Sequence, residues 1–165
     1  MKIADGFIAE LQHESIATRK TLERAPIEKN EYRPHEKSMM LGNMAIHIAE
    51  LPAYIKAIIT ADELDFLKMD YKPRTITTTE DLLKEYDTNI AESIELLKNT
   101  SDEDMLRPWT LRSGEHIIFT QPKMVAIRTM VLSHIIHHRA QLGVYLRLNN
   151  ISVPAIYGPT ADEQF

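Results

Sequence analysis

The stretch from Thr120 to Asn149 constrains this chain more than any other. Val125, Ile127, Val131, Leu132, Ile135, Ile136, Leu142 and Leu146 recur at a mostly 3.6-residue interval, which predicts one long helix with an apolar face. Pro122 stands where a first-turn proline is tolerated, and Asn149-Asn150 offers a stop. Three histidines lie in the middle: His134, His137 and His138. At about 100° per residue, His134 and His138 leave the helix about 40° apart and about 6 Å apart along its axis. This is the H-x-x-x-H spacing by which one helix offers two imidazoles to one ion. His137 points about 100° away from His138 and is expected to stay outside any such site. Histidine pairs at this spacing also occur simply as interior or surface residues, so a third ligand has to come from elsewhere in the chain.

The chain has 165 residues, the size of a single domain with a sizeable core, and residues 1–165 are read as one domain. With a net charge of −5 and no basic patch, binding to nucleic acid phosphates is disfavoured. Cysteine is absent, which excludes disulfides, thiolate ligands and a cysteine nucleophile. Any metal site must use His, Asp, Glu or water. No basic-then-apolar leader pattern opens the chain, and no apolar run approaches the roughly 18 residues of a membrane span. The expectation is a cytoplasmic protein without a membrane or nucleic acid partner. Only five glycines argue against a sheet-rich fold.

The remaining chain supplies three more helical patterns. Lys2 to about Arg24 carries Ile3, Phe7, Ile8, Leu11, Ile16 and Leu22 at helical spacing, and Pro26 ends it. His13 within it is read as exposed or capping. A second helix is expected from near Pro34 to about Thr60, with Met39, Met40, Met44, Ile46, Ile48, Leu51, Ile55 and Ile58 apolar and His47 among them. Pro52 removes a backbone donor and should loosen this helix, a bend that would aim His47 inward. Ala61 to Thr79 is a long connection containing Phe66, Met69, Tyr71 and Pro73. Thr77 to Glu80 resembles a capping box opening a third helix that runs to about Asn99. Thr100 to Asp104 holds another helix-start signal. Leu106 to Phe119 reads as two short strands around Arg112 to Glu115, with Trp109 packing and His116 exposed. After the long helix, an extended tail is expected to fold back through Val153, Ile156 and Tyr157. The fold class is therefore all-α: a four-helix bundle with a long crossover connection and a small β-hairpin between the third and fourth helices.

In such a bundle, His47 can join His134 and His138. Three protein ligands plus water is the usual arrangement of a catalytic zinc-type site. The alternative for His47 is a core histidine bonded to a carbonyl or carboxylate. Nitrogen ligation suits zinc, nickel, iron and copper alike. Glu50 and Gln141, each three residues after a candidate ligand, would orient an imidazole or touch substrate; a solvated acid and an interhelical amide are the simpler readings. Arg139 is read as a structural ion-pair partner. No Gly-rich phosphate loop, serine nucleophile motif or general base stands out, and no catalytic residue is named.

Leu41-Gly-Asn-Met-Ala-Ile-His47-Ile-Ala-Glu-Leu-Pro52, Ser133-His134-Ile-Ile-His137-His138-Arg139-Ala-Gln141-Leu142 and the tail Val153 to Pro159 together resemble the DinB family. Its H-x-x-x-H-R-G-Q motif is present here with Ala140 in the glycine position. The resemblance spans almost the whole chain. It implies a four-helix bundle with an unusual connection order, a divalent metal on His47, His134 and His138 (zinc or nickel foremost, iron or copper as alternatives), and a tendency to form homodimers. Some relatives transfer a low-molecular-weight thiol to an electrophilic small molecule. The alternatives carried here are a metal-dependent hydrolase and a non-catalytic metal-binding or dimerisation module.

Overall fold

The computed structural model of the chain describes residues 2–27, 31–69 and 76–164. Tyr71 and Pro73 of the expected connection lie outside the described residues.

Helix α1 spans Ile3–Leu22, close to the expected first helix. Its buried face is Ala4, Phe7, Leu11, Glu14, Thr18, Thr21 and Leu22, so the inner stripe turns polar halfway along. Ile16, expected on the apolar stripe, faces outward and is 61% exposed. Polar residues take the inner positions because a charged partner, Arg139, lies opposite them.

The second helix begins at Leu41, not near Pro34: α2 spans Leu41–Glu50, a 3₁₀ turn covers Leu51–Ala53, and α3 spans Tyr54–Thr60. Met40 ahead of it is extended and makes no side-chain cap. The break at Pro52 falls where the missing donor required it. Helix α4, Thr79–Lys98, replaces the lost partners from across the interface. The Asn89 amide donates to the Ala49 carbonyl at 2.9 Å, and the Ser93 hydroxyl donates to the Pro52 carbonyl at 2.8 Å. Asn89 and Ser93 are one turn apart and both buried, so one face of α4 serves the loosened turn. Thr78 caps α4 by accepting the Asp81 N–H at 3.1 Å, one residue later than the expected box. Ser101 likewise caps the short α5, Asp102–Leu106, by accepting from Asp104.

The expected hairpin forms, as strands Pro108–Ser113 and His116–Pro122. A third strand, Glu63–Asp65, lies parallel to the first of these and was not legible in the expected connection. Numbered in chain order, the sheet runs β1 (Glu63–Asp65), β2 (Pro108–Ser113), β3 (His116–Pro122), with β2 in the middle. The protein is thus helix-rich with a small three-stranded sheet, not purely helical. Gly114 in the β2–β3 turn has φ 59°, a left-handed conformation that costs glycine nothing. Asp65 ties the sheet together: one carboxylate oxygen accepts from Leu67 N–H at 3.0 Å and Gly114 N–H at 2.9 Å. Those bonds, with Gly114 as the main contributor, hold its carboxyl below the usual aspartate range. Trp109 is wholly buried against Phe119, and its indole nitrogen has no partner among the described residues.

The long helix starts at Lys123 instead of Thr120, because Thr120 and Gln121 still pair with Thr110 and Trp109 in the sheet. It is also not uniform. Helix α6, Lys123–Ile127, passes through a π turn, Arg128–Leu132, into α7, Ser133–Leu148. Ser133 N–H donates to Arg128 carbonyl, five residues back. A π turn takes in about one extra residue, so the stripes before and after it are out of phase. Val125, expected on the apolar stripe, is accordingly 36% exposed, while Ala126 and Ile127 are buried. Lys123 is buried too, its ammonium donating to the Ile59 carbonyl at 2.9 Å.

Helix α1 packs against α4 and α7, and α2 packs against the same two helices. The core lies between them, and the candidate ligands face one another across the α2–α7 contact. The tail folds back, but of the residues expected to carry it only Val153 packs on the core, joined by Ile151, while Tyr157 is 63% exposed and held through its hydroxyl.

Candidate metal centre

His47 comes from the middle of α2, and His134 and His138 from the first turns of α7, directly after the π turn. All three are half-buried, and one ring nitrogen from each lies within 4.8 Å of the other two. His134 Nε2 stands 2.9 Å from His138 Nε2 and 3.4 Å from His47 Nε2. His137 is exposed. Its ring packs edge-on against that of His138, with centroids 4.9 Å apart, and it is not one of the three. His13 and His116 are also exposed.

The backs of two rings determine what the fronts present. His134 Nδ1 lies 3.3 Å from the Met130 carbonyl oxygen, and His138 Nδ1 lies 2.7 Å from Gln141 Oε1. Both partners are acceptors, so both Nδ1 atoms carry the hydrogen and both Nε2 atoms present lone pairs. Burial lowers the pKa of all three imidazoles. For His47 the charges of His134 and His138 add to it, bringing its pKa to about 4. The rings are therefore neutral at pH 7, the protonation state of a metal ligand. Two lone pairs 2.9 Å apart repel unless a cation lies between them. Two nitrogens each about 2.0–2.1 Å from one ion, at right-angled to tetrahedral separation, would stand about 2.9–3.4 Å apart. The donor set therefore fits a divalent ion such as zinc, without choosing among the metals that accept imidazole.

Gln141 is where a ligand-orienting residue belongs, holding the outer nitrogen of His138. Glu50 lines a cavity beside His47, together with Tyr54, Phe66 and Met69. Among the described residues no carboxylate or further histidine joins the three-histidine cluster. A set of three protein ligands is the catalytic rather than the structural pattern for zinc. The sequence offered no general base, yet the fold places the Glu50 carboxylate in the cavity wall. Phe66 and Met69 were legible only as part of a connection. Asp65 and the Phe66 N–H, which donates to the Arg112 carbonyl at 3.0 Å, hold that segment against the sheet.

Arg139, next to His138, points away from the cluster. It is 2% exposed and forms an ion pair with Glu14 at 2.7 Å, as its reading as a structural partner required. Its guanidinium also donates to Thr18 Oγ1 at 3.1 Å and to the Tyr157 hydroxyl, and Tyr157 donates to Glu14 at 2.7 Å. Tyr157 thus pins the tail on the helix that carries two of the candidate ligands.

A helix-rich fold with three convergent imidazoles on two packed helices defines a protein with a candidate metal centre. The chain belongs to the DinB family, whose model matches residues 2–164. It is similar to the structure of a DinB-like protein from Bacillus cereus ATCC 10987, with 22% identity over 93% of this chain and 97% of that one, at a TM-score of 0.69. A DinB-like protein from Bacillus subtilis is similar at 18% identity over 90% of this chain and 96% of that one, also at 0.69. At these identities the likeness speaks for the fold. No curated protein matches the chain.

Proposed function

We propose that the protein is a divalent-metal-dependent enzyme that transfers a low-molecular-weight thiol to an electrophilic small molecule. The observation that carries the metal part is the pair of Nε2 lone pairs facing each other at 2.9 Å, with both Nδ1 hydrogens committed to oxygens. A bound divalent ion would supply positive charge that lowers the pKa of a thiol or water beside it. His47, His134 and His138 would hold the ion as neutral ligands, and Gln141 would fix the ring of His138. Tyr54, Phe66 and Met69 give the adjoining cavity apolar surface for a substrate. The thiol version draws on family resemblance, and free small thiols belong to the reducing cytoplasm.

Metal-dependent hydrolysis is the second reading, and one observation favours it: Glu50 lines the same cavity as His47 and could accept a proton from water. A purely structural or dimerisation module would not need that cavity. We also read α1 and α2, each packed against α4 and α7, as the family's bundle, and expect a homodimer. The test is metal analysis of the purified protein, followed by loss of free thiol in a panel of thiols and electrophiles. Metal binding without any thiol consumption, but with ester or amide cleavage, would move the assignment to the hydrolase.

A further inference from the structure

We infer that Gln121 and Thr129 are positioning residues for the metal centre: they clamp the π turn Arg128–Leu132, and that turn aims His134 at His47. This rests on the reading of the three histidines as a metal site, and adds what holds one of them in place. Thr129 is the second residue of the turn. Its hydroxyl donates to the Val125 carbonyl at 2.9 Å, four residues back, with the Ala126 carbonyl at 3.4 Å. It accepts the side-chain amide of Gln121 at 3.0 Å. A threonine hydroxyl that takes an i−4 carbonyl competes with the helix ladder and loosens the helix there. The Gln121 donation leaves the hydroxyl hydrogen for the carbonyl, so the two bonds support each other. Gln121 belongs to β3, where it is paired with the buried Trp109, so the clamp fastens the turn to the sheet.

The extra residue of the turn decides where His134 stands. Ile127, Ile135 and Leu142 are buried and mark the core line of the long helix. Ile135 to Leu142 is a seven-residue step, two regular turns, but Ile127 to Ile135 is an eight-residue step. An unbroken α-helix would bring the residue seven after Ile127 to within about 20° of that line, and that residue is His134. Its imidazole would then point into the apolar core. With the turn in place Ile135 takes the core position. His134 sits one residue round, half-buried, with Nε2 3.4 Å from His47 Nε2. Its Nδ1 meets the Met130 carbonyl, which belongs to the turn itself, at 3.3 Å. The clamp therefore governs both the direction of this ring and the nitrogen that it presents.

The experiment measures zinc affinity by competition with a chromophoric chelator, and the absorption spectrum of the cobalt-loaded protein, which reports ligand geometry. Thr129→Val keeps the side-chain shape without the hydroxyl. It should weaken zinc by about tenfold and shift or weaken the cobalt d–d band. Thr129→Ser should keep both at the wild-type values. Gln121→Ala should weaken zinc by less, and adding it to Thr129→Val should cost nothing further, since Gln121 acts through that hydroxyl. Thr88→Val is the control: the Thr88 hydroxyl makes the same i−4 bond, to the Lys84 carbonyl at 2.7 Å, on the exposed side of α4. It should leave zinc affinity and the cobalt spectrum unchanged. Wild-type affinity and spectrum in Thr129→Val, an equal loss in Thr88→Val or Thr129→Ser, or additive losses in the double variant would each overturn the inference. Wild-type protein that takes up neither zinc nor cobalt would overturn the metal reading and this inference with it, a different result from metal uptake that ignores Thr129.

Discussion

Arg139 and Glu14 form a buried ion pair 2.7 Å apart that joins α7, the helix of His134 and His138, to α1. Both side chains are almost fully enclosed, and Thr18 and Tyr157 complete their hydrogen bonds. Removing one partner leaves a buried charge without compensation. Glu14→Ala or Arg139→Ala should each cost about 3–5 kcal/mol, measured by urea unfolding at unchanged slope. The double replacement Glu14→Leu with Arg139→Met should recover most of that loss, since it buries no charge. Additive losses in the double variant would contradict the pairing.

Metal content separates the ligands from their neighbour. His47→Ala and His138→Ala should each abolish stoichiometric zinc or nickel binding, while His137→Ala, on the exposed side of α7, should retain it. Gln141→Ala should weaken the metal by about 10–100-fold, because the ring of His138 loses the acceptor that fixes its tautomer. If His137→Ala lost the ion and His138→Ala kept it, the ligand assignment would be wrong.

The metal-free protein should lose stability as pH falls from about 6.5 to about 4. Burial first, and then His134 and His138, bring the His47 pKa to about 4, against about 6.5 for an unfolded histidine. Between those values the unfolded chain binds more protons, so acid favours unfolding. Above about 6.5 neither state is protonated and the contribution of His47 no longer changes with pH. His134 and His138 are shifted in the same direction and act with it. Denaturation midpoints measured across this range with chelator should slope upward with pH, and His47→Gln should flatten the slope.

The 3₁₀ turn at Pro52 depends on α4. Ser93→Ala should cost about 1 kcal/mol and Asn89→Ala about 1–3 kcal/mol, since each leaves a carbonyl of the loosened turn without its donor. Thermal unfolding read alongside zinc affinity would show whether the turn also steadies His47. Stability unchanged in both variants would mean that water replaces the donors at no cost.

Self-association should use the outer face of α7, where Ala140, Val144 and Leu148 are exposed along one side. Light scattering at micromolar concentration should report a dimer, and Val144→Glu should shift it to monomer. A monomeric wild-type chain would count against this surface.

Much of this fold follows from periodicity that a single segment carries by itself. The 3.6-residue stripes of α1, α4 and α7, the helix-start signals within Thr77 to Glu80 and Thr100 to Asp104 and the hairpin around Gly114 are local patterns, readable because near neighbours along the chain determine them. The convergence of His47 with the i, i+4 pair His134 and His138 could be anticipated because helices packed around one core turn such faces toward one another. Other features depend on segments far apart in the chain meeting. Strand β1 is three residues long and exists because β2 offers it an edge. Glu14 and Lys123 are buried, against their residue types, because Arg139 and the Ile59 carbonyl wait there. The π turn shifts the phase of the long helix without a proline or glycine to mark it. Glu50 enters the cavity wall only once the turn at Pro52 and the Asp65-anchored segment stand beside it. Sequence determined which residues could form the metal site. Tertiary packing decided which nitrogens face one another and what surrounds them, because distance and desolvation are properties of the assembled chain.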